Sequence, residues 1–368
     1  MAKNLLFIIG TRPELIKVFP IINYLKGIKY ENFRVVSTGQ HKDLLESYWG
    51  IFNIQPDYEL DIIKKGQNLT QLTAKAIIAI DDLLLDIESS FKPEIILSQG
   101  DTTTVMASSM VAFYHNIKFA HIEAGLRSFD MQHPFPEEFN RKIAGISANY
   151  HFAPTEKSKE NLLKEDIPSS KIHIVGNTVI DTLQYFINSG ALKSHTFLNP
   201  KLKNIQSNCI LITCHRRENH LHLNNLIEAI AELSLQHPNL TFIWPVHPNP
   251  NVKNKVLNSK LSDISNVIIT APLEYLDLIK VISISKKIIS DSGGIQEEAP
   301  TFNVPVLVLR ETTERPEAIT LGVSKLVGMD KSAIIESFNL FNPMFKKDFV
   351  NPYGNGNSSE KTIEILLS

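Results

Sequence analysis

The 368-residue sequence contains little cysteine, since Cys209 and Cys214 are its only two cysteine residues. Two neighbouring cysteines can form neither a disulfide framework nor a four-cysteine zinc site. The histidine and acidic residues show no spacing that is typical of a metal site. We therefore expect a protein of a reducing compartment that holds no metal and no cofactor.

The sequence also lacks long apolar runs and an excess of charge of one sign. No run approaches the ~18 apolar residues of a membrane-spanning helix, and the apolar run at residues 5–9 is too short for a signal peptide. With 37 basic and 39 acidic side chains the net charge is −2, which provides no overall field to attract nucleic acid or an anionic membrane. We expect a cytoplasmic protein that binds neither.

What the sequence does contain is a repeated alternation of short apolar runs and longer segments of helical periodicity, which predicts βα units. Several runs are apolar throughout, as in parallel strands that are covered by helices on both faces. The predicted strands are Leu5–Ile9, Phe33–Ser37, Ile95–Ser98, Phe119–Ile122, Tyr150–Ala153, Ile172–Val175, Cys209–Thr213, Thr241–Val246, Asn266–Ile269, Lys287–Ser290 and Val304–Leu309.

Eleven predicted strands are more than one open sheet usually holds, and strand character is lost over residues 188–208. We therefore predict an α/β fold of two Rossmann-like, doubly wound domains that face each other across a cleft. The first domain is predicted at residues 1–180 and the second at residues 181–355. A C-terminal helix at about residues 356–368 is predicted to pack back on the first domain.

Polar residues cluster directly after the predicted strands. The carboxyl ends of parallel strands meet at one edge of a sheet, which is where ligands usually bind in such folds. We therefore expect the functional site at these edges. The clusters occur in both predicted domains, at residues 10–14, 99–104, 123–127, 215–219, 247–250, 291–294 and 310–315.

Ser292, Gly293 and Gly294 follow a predicted strand and precede a predicted helix. Glycines let backbone N–H groups approach a phosphate, and a helix N-terminus adds a favourable dipole. A simple tight turn explains the same three residues equally well. Glu297 and Glu298 are expected in the first turn of that helix, where a carboxylate could accept from ribose hydroxyls or only favour the helix dipole.

Two arginines are candidates for binding an anion. Arg12 and Arg315 each precede a proline that could begin a helix, so each guanidinium would lie beside a helix N-terminus. A solvated surface arginine is the alternative for each. Lys17, one turn after Pro13, could add a positive charge to the site or be an exposed lysine.

Four side chains are candidates for proton transfer: Asp101, Glu123, Glu137 and His215. Asp101 could instead only cap the helix that follows it. Glu123 ends an apolar strand, where a buried carboxylate would be costly without a partner. Glu137 or its neighbour is expected to pair with Arg141 across a helical turn. His215 could be a core histidine, although the arginines beside it favour a phosphate.

Together these motifs resemble the non-hydrolysing UDP-N-acetylglucosamine 2-epimerases. The resemblance covers nearly the whole chain, and it implies the two-domain GT-B fold of nucleotide-sugar glycosyltransferases. The matching motifs are Gly-Thr-Arg-Pro-Glu (10–14), Gly-Gln-His (39–41), Gly-Asp-Thr-Thr-Thr (100–104), His-Ile-Glu-Ala-Gly-Leu-Arg (121–127), Pro-Glu-Glu-Phe-Asn-Arg (136–141), Gly-Asn-Thr-Val-Ile-Asp (176–181), His-Arg-Arg-Glu-Asn (215–219), Asp-Ser-Gly-Gly-Ile-Gln-Glu-Glu-Ala-Pro (291–300) and Thr-Thr-Glu-Arg-Pro-Glu-Ala (312–318).

The resemblance implies reversible epimerisation at C2 of UDP-N-acetylglucosamine, which gives UDP-N-acetylmannosamine for surface polysaccharide synthesis. Anti elimination of UDP would give a 2-acetamidoglucal, and UDP would then add back while a proton reaches the other face. The catalytic residues that the resemblance implies are Asp101, Glu123, Glu137 and His215. The implied substrate-binding residues are Arg12, Lys17, Arg141, Ser292, Gly293, Gly294, Glu298 and Arg315.

The resemblance also implies regulation and assembly. In bacterial members of the family a second UDP-N-acetylglucosamine acts as an allosteric activator, and a homodimer is usual. We expect both properties here. The positions that match the activator site are Gln40, His41, Gln67, Arg216 and His247.

Several alternatives stay open at this stage. The enzyme could act on another UDP-2-acetamido sugar, release free N-acetylmannosamine as a hydrolysing epimerase, or be a GT-B glycosyltransferase. The length of segment 128–135 favours UDP-N-acetylglucosamine over the related uronic acid. A nucleotide-sugar sensor is the non-enzymatic alternative, and the set of acid–base residues counts against it.

Overall fold

The apolar runs of the sequence form the strands of two parallel β-sheets, in a computed structural model that describes residues 2–40 and 42–368. Each sheet belongs to its own unit of the chain. The first unit comprises Met1–Thr182 together with Tyr353–Ser368, and the second comprises Leu183–Pro352.

The first unit contains one parallel sheet whose strand order is β3-β2-β1-β4-β5-β6-β7. Its strands are β1 (Leu5–Ile9), β2 (Phe33–Ser37), β3 (Tyr58–Glu59), β4 (Ile95–Gln99), β5 (Lys118–Ile122), β6 (Tyr150–Ala153) and β7 (Ile172–Ile174). Its helices are α1 (Arg12–Gly27), α2 (Lys42–Phe52), α3 (Leu69–Ile87), α4 (Thr103–Tyr114), α5 (Glu137–Ser147) and α6 (Glu156–Leu163). Helix α7 (Thr178–Asn188) runs across the division between the units.

The second unit contains a parallel sheet in the order β10-β9-β8-β11-β12-β13, which is the strand order of a Rossmann fold. Its strands are β8 (Cys209–Thr213), β9 (Thr241–Pro245), β10 (Val267–Thr270), β11 (Ser285–Ser290), β12 (Val306–Val308) and β13 (Ser324–Leu326). Its helices are α8 (Ala191–Ser194), α9 (Leu223–Gln236), α10 (Pro250–Leu257), α11 (Tyr275–Ile284), α12 (Gly293–Glu298), α13 (Glu317–Thr320) and α14 (Lys331–Leu340).

Strand β8 illustrates why these runs are apolar throughout. Ile210 and Ile212 pack into one apolar cluster of the second unit, whereas Cys209 and Leu211 pack into another. Because helices cover both faces of the sheet, every residue along such a strand is removed from water. The predicted α/β class with two Rossmann-like, parallel-sheet domains is confirmed.

Two strands were missing from the sequence prediction. Strand β3 pairs with β2 through two residues, and β13 pairs with β12 through three. Both lie at the end of a sheet order, and neither has a long apolar run because each is only two or three residues long. The hydrophobic pattern therefore could not reveal them.

The last helix, α15 (Ser358–Leu367), belongs to the first unit. The Asp181 carboxylate accepts a hydrogen bond from the Ser359 backbone N–H at 2.7 Å, near the start of this helix. The Asn177 N–H donates to the Tyr353 carbonyl at 2.6 Å. The motif at residues 176–181 thus anchors the C-terminal segment. Among the helices that the structure describes, none combines the length and the apolar character needed to cross a bilayer.

Each sheet has one point at which its strand order reverses. In the first unit this point lies between β1 and β4, and in the second between β8 and β11. In folds of this kind the loops that leave the two central strands diverge at this point, and ligands usually bind beyond the carboxyl ends of these strands. Most of the predicted site residues follow these strands or their neighbours.

Candidate active site

In the first unit the loop after β1 passes very close to helix α4. A Cβ atom added at Gly10 would overlap Oγ1 of Thr104 and would lie 2.9 Å from Oγ1 of Thr38. The two threonine hydroxyls are 3.0 Å apart, and Thr104 also donates to Gln40 Oε1 at 2.9 Å. Only glycine permits this approach, which joins the loops on both sides of the reversal point.

Glu14 is a buried carboxylate of this loop that the sequence prediction missed. One oxygen accepts from the Gly10 N–H at 2.7 Å and the other from the Thr11 hydroxyl at 2.8 Å. Burial raises the pKa of Glu14 to about 7, although these hydrogen bonds oppose the shift. Its position in the first turn of an otherwise apolar helix, α1, was the available signal.

Asp101 does not cap the helix that follows it, which corrects one of its two predicted roles. Thr102 is the N-cap of α4, and its hydroxyl accepts from Val105 N–H. The Asp101 carboxylate instead accepts from Arg141, with Nη2 at 2.6 Å and Nε at 2.9 Å. Arg141 also donates to Glu138 at 3.0 Å. Arg141 therefore holds the Asp101 carboxylate and is itself held in place by Glu138.

Glu123 has the partner that its burial requires. Lys17 Nζ and Gln99 Nε2 each lie 2.5 Å from its Oε2 atom. Lys17 is therefore a buried lysine, and the alternative of an exposed one is wrong. The Glu123 backbone has a φ of +63°, a left-handed conformation that costs free energy in non-glycine residues and is often found at functional sites.

The other predicted residues of the first unit lie at helix starts. Pro13 was expected to begin helix α1. The helix begins one position earlier, at Arg12, and Pro13 is its second residue. The Arg12 guanidinium lies 5.6 Å from the centroid of the Tyr48 ring. Glu137 is the first residue of α5, and the predicted partner of Arg141 is its neighbour Glu138.

In the second unit, His215 follows β8 and Asp291 follows β11, on the two sides of the reversal point. His215 Nδ1 lies 2.9 Å from Asp291 Oδ1, and the His215 side chain is 44% exposed. His215 is therefore not a core histidine. The sequence prediction missed Asp291, although it stands next to Ser292.

A buried cluster of charges surrounds Glu314 in the same unit. Its carboxylate lies 2.5 Å from Arg315, 2.7 Å from Arg310 and 3.4 Å from Arg216. Burial alone would raise the pKa of Glu314, but the positive charges of Arg315, Arg310 and Arg216 lower it well below its ordinary value. Arg315 also pairs with Glu297 at 2.5 Å. Arginine side chains of this kind are typical binding groups for phosphate.

The Ser-Gly-Gly turn lies against this cluster. Ser292 is the N-cap of α12, and a Cβ atom added at Gly293 would lie 2.6 Å from Nη1 of Arg315. The glycine thus allows the guanidinium to approach the backbone closely. Pro316 is the N-cap of α13 and not its first residue, so Arg315 stands one position farther from the helix than expected.

Glu297 and Glu298 do not lie in the first turn of α12, contrary to the sequence prediction. They are the last two residues of a helix that spans Gly293–Glu298, and both are buried. The helix begins at Gly293, directly after Ser292, so Glu297 is already its fifth residue. The predicted alternative, that these two carboxylates only favour the dipole at the helix N-terminus, is therefore wrong for both residues.

The residues assigned to a regulatory site lie in both units. Gln40 accepts from Thr104, and Gln67 Oε1 accepts from the Lys64 N–H at 2.8 Å. In the second unit the His247 ring stacks on that of His215, with 6.4 Å between centroids. Arg216 belongs to the Glu314 cluster. His41 lies outside the described residues.

Taken by itself, the first unit contains carboxylates that are fixed by hydrogen bonds and ion pairs. The second unit, taken by itself, contains a buried cluster of arginines and carboxylates around Glu314. Carboxylates are common proton-transfer groups in enzymes, while arginines and backbone N–H groups bind phosphate. In the part of the chain that the structure describes, no cluster of His, Cys, Asp and Glu is arranged to hold a metal ion. The carboxylates of the first unit are of the type that transfers protons, and the arginines of the second unit are of the type that binds an anion.

A family model, curated relatives and solved structures all show similarity to UDP-N-acetylglucosamine 2-epimerases. Residues 26–367 match the family model described as UDP-N-acetylglucosamine 2-epimerase. A UDP-N-acetylglucosamine 2-epimerase of Neisseria meningitidis is 44% identical over 375 residues, which cover 99% of both chains. A crystal structure of the Neisseria meningitidis enzyme bound to UDP-GlcNAc has a TM-score of 0.89, with 42% identity and 99% of both chains covered. A Methanocaldococcus jannaschii enzyme in complex with UDP-GlcNAc and UDP has a TM-score of 0.85 at 35% identity, again over 99% of both chains.

Proposed function

The chain belongs to the UDP-N-acetylglucosamine 2-epimerase family, and we propose that it interconverts UDP-N-acetylglucosamine and UDP-N-acetylmannosamine. The observation that carries this proposal is the pair of ion-paired carboxylates, Glu123 with Lys17 and Asp101 with Arg141, at the ends of adjacent strands. Inversion at C2 requires groups that remove a proton from one face of the sugar and deliver one to the other. Two fixed carboxylates supply such groups.

The proposed reaction proceeds by elimination and addition. A carboxylate takes the proton from C2, the C1–O bond breaks, and UDP leaves with the bonding electrons to give a 2-acetamidoglucal. UDP then attacks C1 again while C2 receives a proton on the opposite face, which completes the inversion without any net oxidation. Asp101, Glu123 and Glu137 are the proposed proton-transfer groups.

We assign binding of UDP mainly to the second unit. The Ser292–Gly294 turn would hold a phosphate through its backbone N–H groups, and Arg315 beside it would add positive charge. His215 would contact the diphosphate and Glu298 the ribose hydroxyls. Support for binding of UDP comes from the related Neisseria meningitidis enzyme, whose crystal structure is bound to UDP-GlcNAc.

In the first unit, Arg12 and Lys17 are the proposed contacts to the diphosphate and Arg141 is the proposed contact to the substrate. Lys17 already neutralises Glu123, so we expect its charge to be shared between that carboxylate and the departing UDP. A positive charge near the leaving group stabilises the transition state of elimination.

The finer properties are part of the same proposal. We propose a non-hydrolysing enzyme, a homodimer in the cytoplasm, and a product used for surface polysaccharide. We also propose activation by a second UDP-N-acetylglucosamine through the residues Gln40, His41, Gln67, Arg216 and His247. Full-rate conversion of UDP-N-acetylmannosamine alone, with a hyperbolic dependence on its concentration, would refute this activation.

Proton NMR in D₂O tests the reaction itself. Purified protein is incubated with UDP-N-acetylglucosamine and no acceptor sugar, metal or nicotinamide. We expect UDP-N-acetylmannosamine that carries deuterium at C2, because the proton exchanges with solvent in each half-reaction. Free N-acetylmannosamine with UDP would indicate a hydrolysing enzyme, and an inert sample would refute the proposal in favour of a transferase or a sensor. The Asp101→Asn variant should bind UDP and show no turnover.

A further inference from the structure

We propose that Asp291 is a positioning residue that accepts a hydrogen bond from Nδ1–H of His215, so that Nε2 is the ring nitrogen that takes up a proton and donates it to the substrate diphosphate. The inference rests on the proposed function for the identity of the substrate. The tautomer of the His215 ring follows from the hydrogen bonds of Asp291 and does not depend on which substrate is bound.

Asp291 is fully buried, and both oxygens of its carboxylate accept hydrogen bonds from the turn after β8. Oδ2 accepts from the backbone N–H of Arg216 at 2.9 Å, from Asn219 Nδ2 at 2.9 Å and from the backbone N–H of His215 at 3.0 Å. Oδ1 accepts from the same His215 N–H at 3.1 Å and faces His215 Nδ1 at 2.9 Å. The carboxylate therefore organises the whole turn after β8.

These donors keep the carboxylate ionised. Burial alone would raise the pKa of Asp291. The hydrogen bonds from His215, Arg216 and Asn219, together with the charge of the His215 ring when it is protonated, lower this pKa to about 2. An ionised carboxylate can only accept hydrogen bonds. The nitrogen that faces it, Nδ1 of His215, must therefore carry a hydrogen, and the neutral ring then has its lone pair on Nε2.

The exposure of the two side chains differs in the way that this role requires. Asp291 is inaccessible to solvent, whereas the His215 side chain is 44% exposed. The buried acid can orient the ring but cannot touch a ligand, and the ring can touch a ligand. A base oriented by a buried third group is a common arrangement in enzymes that move protons.

Asp291→Asn reverses the tautomer while it keeps the shape of the side chain. The amide nitrogen does not suit the Oδ2 position, because the Arg216 N–H and Asn219 Nδ2 donate to that atom alone, whereas the His215 N–H donates to both oxygens. It therefore takes the place of Oδ1 and donates to His215 Nδ1, which must then be unprotonated. In this variant the neutral ring carries its hydrogen on Nε2.

Asp277 provides a matched control in the same unit. It is 1% exposed and accepts from His195 Nε2 at 2.7 Å and from the backbone N–H groups of Leu198 and Asn199 at 2.9 Å each. It is thus also a buried aspartate with one histidine and backbone donors, but it lies in helix α11 and not at the reversal point. Asp277→Asn reproduces the loss of a buried charge without changing His215.

The test combines ¹⁵N NMR of the histidine rings at alkaline pH with turnover and UDP binding. The His215 signals are assigned by their loss in His215→Asn. We expect Nδ1–H in the wild type and Nε2–H in Asp291→Asn. We expect kcat of Asp291→Asn to fall by about 100-fold or more, the lower end of what a positioned proton-transfer group contributes. The Kd for UDP should change by less than about threefold, and kcat of folded Asp277→Asn should stay near that of the wild type.

Each result decides one part of the inference. An Nε2–H ring in the wild type overturns it, and this measurement does not require Asp291→Asn to fold. A reversed tautomer with unchanged kcat also overturns it, as does an equal loss of kcat in Asp277→Asn. A wild-type protein that shows Nδ1–H but no epimerisation would refute the proposed function while leaving the assigned tautomer correct.

Discussion

Two buried histidines in the first sheet make the stability of the protein depend on pH. His121 in β5 is paired in register with His151 in β6, and both side chains are buried. Burial lowers the pKa of His121 to about 4 and that of His151 to about 3. Below the ordinary histidine pKa of about 6.5, the unfolded chain therefore binds two protons that the folded chain does not.

The sign and size of the effect follow from this difference in bound protons. The stability that these neutral rings provide is fully present above pH ~6.5 and is lost as the pH falls toward 4. Each histidine contributes about 1.4 kcal/mol per pH unit to this loss. Glu14 acts in the opposite direction, because its raised pKa of about 7 makes its contribution disappear as the pH rises through 7.

The variant His151→Leu isolates one of these contributions. The difference in free energy of unfolding between variant and wild type should shift in favour of the variant by about 2 kcal/mol between pH 7 and pH 5. Urea denaturation at pH 5, 6 and 7 measures it. Phe152→Leu, a buried change on the same strand without a titrating group, should give a difference that is independent of pH. A constant difference for His151→Leu over this range would refute the reasoning.

Two further predictions concern the first unit. Lys17→Met should destabilise the fold by about 3 kcal/mol or more because it leaves the Glu123 carboxylate buried without its cation, and adding Glu123→Gln should recover most of this loss in urea denaturation. Additive single effects would contradict the coupling. Gly10→Ala should lower kcat about 100-fold by pushing Thr104 and its loop aside, while Gly50→Ala, whose Cβ would meet nothing within 4 Å, should leave kcat unchanged. Equal kcat values for the two alanine variants would contradict the steric argument.

The architecture could be predicted because its signal is local. A strand such as β8 is apolar at every position, and that pattern is required by burial on both faces whatever the rest of the chain does. The edge strands β3 and β13 gave no such signal, because a strand of two or three residues with one neighbour needs no apolar run. Helix α12 was also misjudged, since the position of Glu297 and Glu298 depends on where that short helix begins and ends.

Among the site residues, sequence reasoning found candidates and one of their partners, Glu138 for Arg141, but not the others. It identified Asp101, but its bond to Arg141 connects residues 40 positions apart. It identified His215 and did not identify Asp291, which is 76 positions away. Whether Lys17 was exposed or buried could not be decided either, because Lys17 lies in helix α1 and its partner Glu123 is 106 positions away, after strand β5.

The amino-acid sequence by itself determined the alternation of strands and helices, the two-domain α/β class and the set of chemically capable residues at the strand ends. These follow from the periodicity of hydrophobic side chains and from the residue types that proton transfer and phosphate binding need. Only the tertiary structure decided which of these residues meet, because each pair is formed by loops that parallel strands bring to one sheet edge from distant parts of the chain. The ionisation of Glu14, Asp291 and Glu314 was decided there too, since burial and neighbouring charge exist only in the folded chain.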